Sequence, residues 1–235
     1  PVGTTRPTRF PFLGRKRRKS FSAPRKIPKQ SFRPVSFKIH MLKASATAFK
    51  EWAAVVDFLG RGEQILILRK GGIHEKGKEF NVTHEEFFLF PTFEHQNPDD
   101  LKPKAQETLK KILGGKSDPT TLPLRYYCVV EEDFWISDEK ILERLDPFHV
   151  WSWDCVKGRF DWGEKKGLYG IIVRTYSLPA TVSLANLKRY GGCRSWVELE
   201  EPLETPSLRP VLSDRVFTEQ REKINKLISS ESITR

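Results

Sequence analysis

The sequence has no apolar run near the roughly 18 residues that a membrane-spanning helix needs, so we expect no transmembrane segment. Cysteine is scarce as well: Cys128, Cys155 and Cys193 are odd in number and far apart, which argues against a disulfide framework and against a zinc site. We therefore expect a reducing compartment, no metal and no cofactor. Motifs of phosphate-binding loops, zinc proteases and serine hydrolases are also missing, so no reaction is indicated by motif.

Acidic residues are missing from residues 1–50, which contain 14 Lys and Arg but no Asp or Glu. The remaining 185 residues hold 27 Lys and Arg against 30 Asp and Glu, which gives them a net charge of −3. The net charge of +11 therefore belongs to the N-terminus. On its own it does not indicate that the folded part binds nucleic acid.

Residues 1–40 are rich in Arg, Lys, Ser and Pro, a composition that favours disorder. Three interpretations are open. The segment is a transit peptide for an organelle, upstream sequence translated ahead of Met41, or a nuclear signal or RNA-binding arm around RKRRK, residues 15–19. Under each of them we expect the fold to begin at about residue 41.

The rest of the chain predicts an α+β fold, a single mixed domain with a central, largely antiparallel sheet flanked by helices. We expect this domain over residues 41–203, followed by a linker and an amphipathic helix over 204–235. The capping box of Thr83 and Glu86 predicts a short helix that ends at Phe90. Other helices are expected in 46–62 (where a strand is also possible), 103–115, 137–146, 152–160 and 214–229. Strands are expected at 63–72, as a central strand, and at 124–137, 167–179 and 193–201.

The segment DPFHVWSWDCVKGRFDW, residues 146–162, combines three tryptophans with a histidine and a cysteine. Ser152 is the expected cap of its helix, on which Trp153, Val156 and Phe160 form a buried stripe. His149 and Trp151 precede that helix, and His149 has either a structural role or a catalytic or ligand-binding one. Cys155 has no basic partner at a fixed spacing, which argues against an activated thiolate.

Three cations are candidates for anion binding. Arg174 lies in the apolar strand 167–179, where it must either pair with an acid or line a polar pocket. Its partner is then one of Glu131, Glu132 and Asp133, or else a bound phosphate or carboxylate. Arg69 and Lys70 precede two glycines, where they form a solvated strand end or hold an anion together with exposed amides.

Five segments, taken in order, resemble the domain of unknown function 1802 family over about residues 44–200. They are FKEWAAVVDFLGRGEQILILRKGGI, FFLFPTFEHQ, PFHVWSWDCVKGRF, LYGIIVRTYSLP and YGGCRSW. The resemblance implies a protein type found in cyanobacteria, other bacteria and plant plastids, without an established activity, cofactor or catalytic residue. It favours the transit-peptide interpretation and a location in the chloroplast stroma. The shared segments contain Glu51, Trp52, Arg69, Lys70, Gly71, Gly72, Pro91, Thr92, His95, Gln96, His149, Trp151, Arg159, Arg174, Tyr176, Cys193, Ser195 and Trp196.

Two functions are open on these grounds. The first is a non-catalytic binding module for RNA or another anionic ligand. Its phosphate contacts would come from Arg69, Lys70, Arg159 and Arg174, and its base-stacking rings from Trp151 and Tyr176. The second is a phosphodiesterase-like enzyme acting on a phosphorylated or nucleotide substrate, with His95 or His149 as acid or base and Arg174 as anion anchor. The enzyme hypothesis requires these side chains to converge in one cleft, and oligomeric state is not predicted.

Overall fold

The structure, a computed structural model, describes residues 42–70, 84–93, 96–115, 118, 120–192, 194–205 and 207–229. Its strands are β1 (Ala44–Trp52), β2 (Leu66–Arg69), β3 (Glu86–Thr92), β4 (Thr121–Ile136), β5 (Leu168–Ala185), β6 (Trp196–Glu204) and β7 (Arg209–Pro210). Its helices are α1 (Ala53–Gly60), α2 (Pro103–Gly115), α3 (Glu139–Arg144), α4 (Trp153–Asp161) and α5 (Asp214–Ser229). The predicted α+β class is confirmed. The predictions on residues 1–40, Thr83, His95 and Cys193 fall outside the described residues.

The strands form one sheet in the order β2-β5-β4-β3-β1-β6, and β7 pairs with β5. Only β1 and β3 are parallel, while the other described pairs are antiparallel, so the sheet is largely antiparallel as expected. Strands β4 and β5 contain 16 and 18 residues and pair along most of their length. Strand β5 continues past Pro179, where the sequence predicted its end, because the ladder skips this proline at a register shift.

Side chains that alternate along the strands build two apolar clusters on the two sides of the sheet. Phe49 and Phe87 belong to the first cluster, which all five helices cover. Ala48 and Phe88 belong to the second, which Tyr190 helps to close. Helix α5 adds Phe217, Ile224 and Ile228 to the first cluster, so it packs on the same core as the other helices.

The sequence assigned two segments to the wrong element. Residues 46–62 divide into strand β1 and helix α1, because Ala48 and Phe49 point into different clusters before the helical spacing begins at Ala53. The capping-box segment is not a helix but strand β3, and Phe87 to Pro91 are all buried in it. The Glu86 carboxylate caps no helix there and instead accepts a hydrogen bond from the Tyr127 hydroxyl at 2.9 Å. Burial on both faces therefore overrides the local helix signal.

Two smaller predictions also need correction. Strand β2 forms within the expected segment but lies at the end of the strand order and pairs only with β5 among the described strands, so it is not central. Leu66, Ile67 and Leu68 are nevertheless buried, because the helices cover this edge. Helix α3 is capped by Asp138, which accepts from the Lys140 amide at 2.8 Å, and not by Ser137. The expected Ser152 cap of α4 is confirmed.

Gly60, the last residue of α1, packs closely against Tyr126 of β4, so a substitution of this glycine tests how the helix packs on the sheet. A Cβ at Gly60 would lie 2.1 Å from Cζ of Tyr126. We expect Gly60→Ala to lower the free energy of unfolding by about 1–3 kcal/mol, because the added methyl overpacks the contact. Urea unfolding measures this change.

Gly158 within α4 is the matched control, since a Cβ there meets nothing within 4 Å. Gly158→Ala should raise the free energy of unfolding by up to about 1 kcal/mol through helix propensity alone. Shifts of the same sign in the two variants would contradict the close contact between Gly60 and Tyr126.

Candidate anion-binding site

Trp151 lies directly before α4 and is almost fully buried. The Trp52 ring meets its ring edge-on, with the centroids 4.9 Å apart. The guanidinium carbon of Arg159, in the last turn of α4, lies 3.9 Å from the Trp151 ring centroid. Within the part of the chain that the structure describes, Arg159 makes no hydrogen bond and no ion pair. The N–H donors of its planar guanidinium are therefore available to another group.

A buried carboxylate lies at the end of β1. Glu51 is 1% exposed, and its Oε1 accepts from the Trp52 amide at 2.7 Å. Its Oε2 lies 3.5 Å from a terminal nitrogen of Arg69, which also donates to the Lys50 carbonyl. The Arg69 guanidinium lies 4.6 Å from the Phe49 ring centroid. A buried carboxylate needs a cation close by, and Arg69 provides it.

Cys155 connects these two groups electrostatically. Burial raises the pKa of its thiol to about 11; Arg159 opposes that rise, whereas Asp100 and Glu51 add to it. Arg159 and Glu51 therefore both lie within electrostatic range of Cys155. At neutral pH the group is a thiol and not an activated nucleophile. We call the set Glu51, Trp52, Arg69, Trp151 and Arg159 the Trp–Arg cluster.

Lys70 lies elsewhere and has a structural role. Its ammonium donates to the carbonyls of Phe160 at 3.1 Å, Lys165 at 2.7 Å and Gly167 at 3.0 Å. These contacts use all three donors of the group and tie the end of α4 to the start of β5. Burial lowers the pKa of Lys70. Its full set of carbonyl partners weighs against the anion contact considered for it.

Arg174 pairs with an acid that the sequence did not suggest. Its partner is Asp214, the first residue of α5, and its guanidinium lies 5.1 Å from the Phe217 ring centroid. Glu131 and Glu132, two of the expected partners, instead lie 3.6 Å from Arg221. These pairs fasten α5 to strands β4 and β5.

Tyr176 lies beside Arg174 and is only 6% exposed. A ring this deeply buried has no free face on which a base can stack, and the same holds for the other predicted stacking ring, Trp151, which is 1% exposed. Of the two candidates from β5, Arg174 takes part in the docking of α5 and Tyr176 lies beside it.

His149 is 4% exposed, and neither ring nitrogen completes a hydrogen bond with any described residue, although the Trp151 backbone lies close. Burial lowers its pKa to about 4, and Lys102 adds to the effect. The ring borders a cavity of about 340 Å³ beside Gln64 and Lys102, whereas Arg174 borders a different cavity beside Val211. The His149–Arg174 pair required by the enzyme hypothesis therefore does not share a cavity.

Two findings concern only the described residues. No three His, Cys, Asp or Glu side chains among them come together as a metal site requires. None of their helices combines the length and apolarity needed to cross a membrane.

The sequence missed the roles of Glu51 and Trp52. Both fell inside the predicted helix 46–62, so their contacts with Arg69 and Trp151 were not expected. The alternation of side chains along a strand could have indicated the role of Glu51, because Phe49 and Glu51 are two residues apart and point to the same side of β1. An acid on the apolar side of a strand needs a buried cation, which would have indicated Arg69.

The family model described as "Domain of unknown function (DUF1802)" matches residues 48–223, about three quarters of the chain. The chain therefore belongs to the DUF1802 family, and the resemblance seen in the sequence is confirmed. None of the curated proteins matches it. A solved structure, the ASCH protein from Zymomonas mobilis, is similar with a TM-score of 0.38 and 8% identity, covering 66% of this chain and 87% of that chain. So low a score carries no argument about this chain.

The buried imidazole makes stability depend on pH. The folded-state pKa of His149 is about 4, below the value of about 6.5 of a free imidazole. Between these values the unfolded chain binds more protons, so the free energy of unfolding falls as the pH drops from about 6.5 to about 4. Above pH 6.5 the full contribution, on the order of 3 kcal/mol, is present.

His149→Gln removes the titration and should flatten this part of the profile, measured by urea unfolding between pH 7 and pH 4.5. The control is His84→Gln, which removes an exposed imidazole and should leave the slope near that of the wild type. An unchanged slope in His149→Gln would show that other groups cause the pH dependence.

Proposed function

We propose that this domain is a non-catalytic binding module for an anionic ligand, which binds to the Arg159 guanidinium stacked on Trp151, and that RNA is the first ligand to test. One observation carries the proposal: the Arg159 guanidinium lies 3.9 Å from the Trp151 ring centroid without an acidic partner among the described residues. A planar guanidinium donates two parallel hydrogen bonds to a phosphate or carboxylate, which suits this role.

Arg159 differs from most arginines that the structure describes. Six of them lie within ion-pair distance of a carboxylate, so their charge is already balanced, whereas the charge of Arg159 is not. The paired residues are Arg61, Arg69, Arg174, Arg189, Arg215 and Arg221.

The surroundings of Arg159 also favour binding. Trp151 is fixed by burial and by the Trp52 ring, and it holds the guanidinium by a cation–π contact. An arginine ordered before binding loses less conformational entropy when its ligand arrives. The only acid in the Trp–Arg cluster, Glu51, is balanced by Arg69. The five residues of the cluster therefore have a net charge of +1, which supports an anionic ligand, and Asp100 is a further acid within electrostatic range of Cys155.

Location in the chloroplast stroma is a separate proposal, supported by the Arg- and Ser-rich, acid-free composition of residues 1–40. A fluorescent protein fused after residue 235 should accumulate in plastids of plant cells. The same fusion without residues 1–40 should stay outside them. Plastid accumulation of the shortened fusion would contradict the transit-peptide role.

Arg159→Gln tests the binding proposal in the full chain. It removes one charged donor group, which should weaken binding of a short single-stranded RNA by about 10- to 100-fold, since a hydrogen bond to a charged group contributes about 1.5–3 kcal/mol. Fluorescence anisotropy of a labelled oligouridine measures the change.

Arg215→Gln is the matched control. It removes the same charge from an exposed arginine that pairs with Glu219 on α5 at 2.6 Å. Its affinity should stay within about 2-fold of the wild type, the range expected of an exposed charge outside the site. Equal effects of the two substitutions would count against a specific role of Arg159.

A further inference from the structure

Two clefts meet at the C-terminal end of β3. The first, of about 390 Å³, lies between α1, α2 and the sheet, and the second, of about 560 Å³, lies between β3 and residues 186–191. Pro91 and Phe93 line both clefts. The two clefts therefore adjoin over the end of the strand, and we call them together the β3-end groove.

Several cations line the groove. Lys111 and Arg125 line the first cleft and Lys188 lines the second, and all three are exposed. The side chains of these three form no ion pair and no hydrogen bond with another described residue. Lys50 also lines the second cleft, where its ammonium donates to the Gly192 carbonyl at 3.0 Å.

The acids of the groove are already engaged. Asp57 forms an ion pair with Arg61 at 2.8 Å. Asp118 accepts hydrogen bonds from the Thr120 amide at 2.7 Å and from the Thr121 hydroxyl at 3.1 Å. Among the described residues that line it, the second cleft has Lys50 and Lys188 but no acid. The described lining of the two clefts together therefore has a net charge of +2, all of it from the second cleft, because the two cations and the two acids of the first cleft cancel.

An aromatic ring lies between the cations. Phe93 is half-buried, packs against the second apolar cluster and lines both clefts, the first together with Arg125 and the second together with Lys188. The Tyr126 hydroxyl in the first cleft has no hydrogen-bond partner among the described residues. Cations along a groove with an accessible ring between them are typical of proteins that bind single-stranded nucleic acid, where a base stacks on the ring.

The groove begins where the Trp–Arg cluster ends. Thr92 lines the second cleft and is the ladder partner of Trp52. Trp52 in turn packs edge-on against Trp151, the ring that carries Arg159. The strand pairing and the Trp52–Trp151 packing therefore place the proposed anion site on the same side of the fold as the end of β3, while Arg159 itself lines neither cleft.

We infer that the ligand is a single-stranded polynucleotide, with one phosphate at Arg159 and the strand continuing into the β3-end groove. Its phosphates contact Lys188, Arg125 and Lys111, and an unpaired base stacks on Phe93. This inference rests on the proposed function and deepens it, because a mononucleotide or a small carboxylate would fill the Arg159 site without reaching the groove. Each cleft has the size typical of a pocket for one small ligand, about 300–1,000 Å³.

The test compares oligouridines of two and ten nucleotides, titrated with the full chain by fluorescence anisotropy at salt concentrations from 50 to 200 mM. Lys188→Gln and Arg125→Gln should weaken binding of the ten-nucleotide strand but leave the two-nucleotide strand unchanged. Each should lower the slope of log Kd against log salt by about 0.7, the change for one phosphate contact on a single strand. Arg159→Gln should weaken binding of both lengths.

Two more variants separate stacking from charge. Phe93→Leu keeps an apolar side chain but removes the aromatic face, and it should weaken the ten-nucleotide complex about 10-fold without changing the salt slope. Lys223→Gln on α5 removes an exposed charge that lines neither cleft, and it should behave as the wild type. The basic residues 1–40 add the same background to every variant, so differences between variants report the groove.

The outcomes distinguish the two proposals. Unchanged binding in Arg159→Gln would overturn the proposed function and this inference with it. Weaker binding in Arg159→Gln, together with groove variants that match Lys223→Gln, would overturn the groove and leave a small anion as the ligand. Oligothymidine in place of oligouridine tells DNA from RNA, and weakening of either strand by the groove variants supports a polynucleotide.

Discussion

The ion pair between Glu51 and Arg69 is the constraint on which the chemistry of this end of the domain depends. A carboxylate that is 1% exposed is stable only with a cation beside it, and Arg69 reaches it from the opposite end of the strand order. Arg69 pairs with Glu51, whereas Arg159, the second arginine of the Trp–Arg cluster, has no ion pair among the described residues. The positive charge available to a ligand in this cluster is therefore that of Arg159.

The same principle separates the predicted cations. Lys70 has three carbonyl partners and Arg174 has Asp214, so both hold elements of the fold together. Arg159 is stacked on Trp151 and has no ion pair with any residue that the structure describes. From residue type alone, Lys70, Arg174 and Arg159 were equally good candidates for binding an anion. The difference lies in the number of acceptors that the fold places around each one, which is a property of the tertiary structure.

Local signals in the sequence predicted the elements whose boundaries have a local cause. Helix α2 follows its proline and α4 follows the Ser152 cap, and both were found. The signals failed where burial decides, as in β3, where a capping-box pattern lies in a strand with Phe87 to Pro91 buried. They also failed for Arg174, whose partner lies 40 residues away on α5. A pair that forms only when a distant helix docks leaves no local pattern.

Prediction of the site residues succeeded and failed for the same reasons as prediction of the helices and strands. Trp151 and Arg159 were identified as candidates because of their residue types, whereas their stacking eight positions apart depends on how α4 follows Trp151. The contribution of Trp52 was missed because its strand was read as a helix. The β3-end groove was missed entirely, since its cations come from α2, β4 and residues 186–191, which no motif connects.

Local charge, and not total charge, decides what such a surface attracts. At physiological salt an exposed charge is screened over about 8 Å, so acids on β6 and α5 that line neither cleft have little influence on an anion in the groove. Within that distance Lys50 and Lys188 line the second cleft with no acid among its described lining residues, whereas Lys111 and Arg125 share the first cleft with Asp57 and Asp118. Residues 51–235, with a net charge of −3, therefore still offer a site for a polyanion. Its affinity would come from a few placed contacts, so loss of one cation should matter more than a change in the charge of the whole domain.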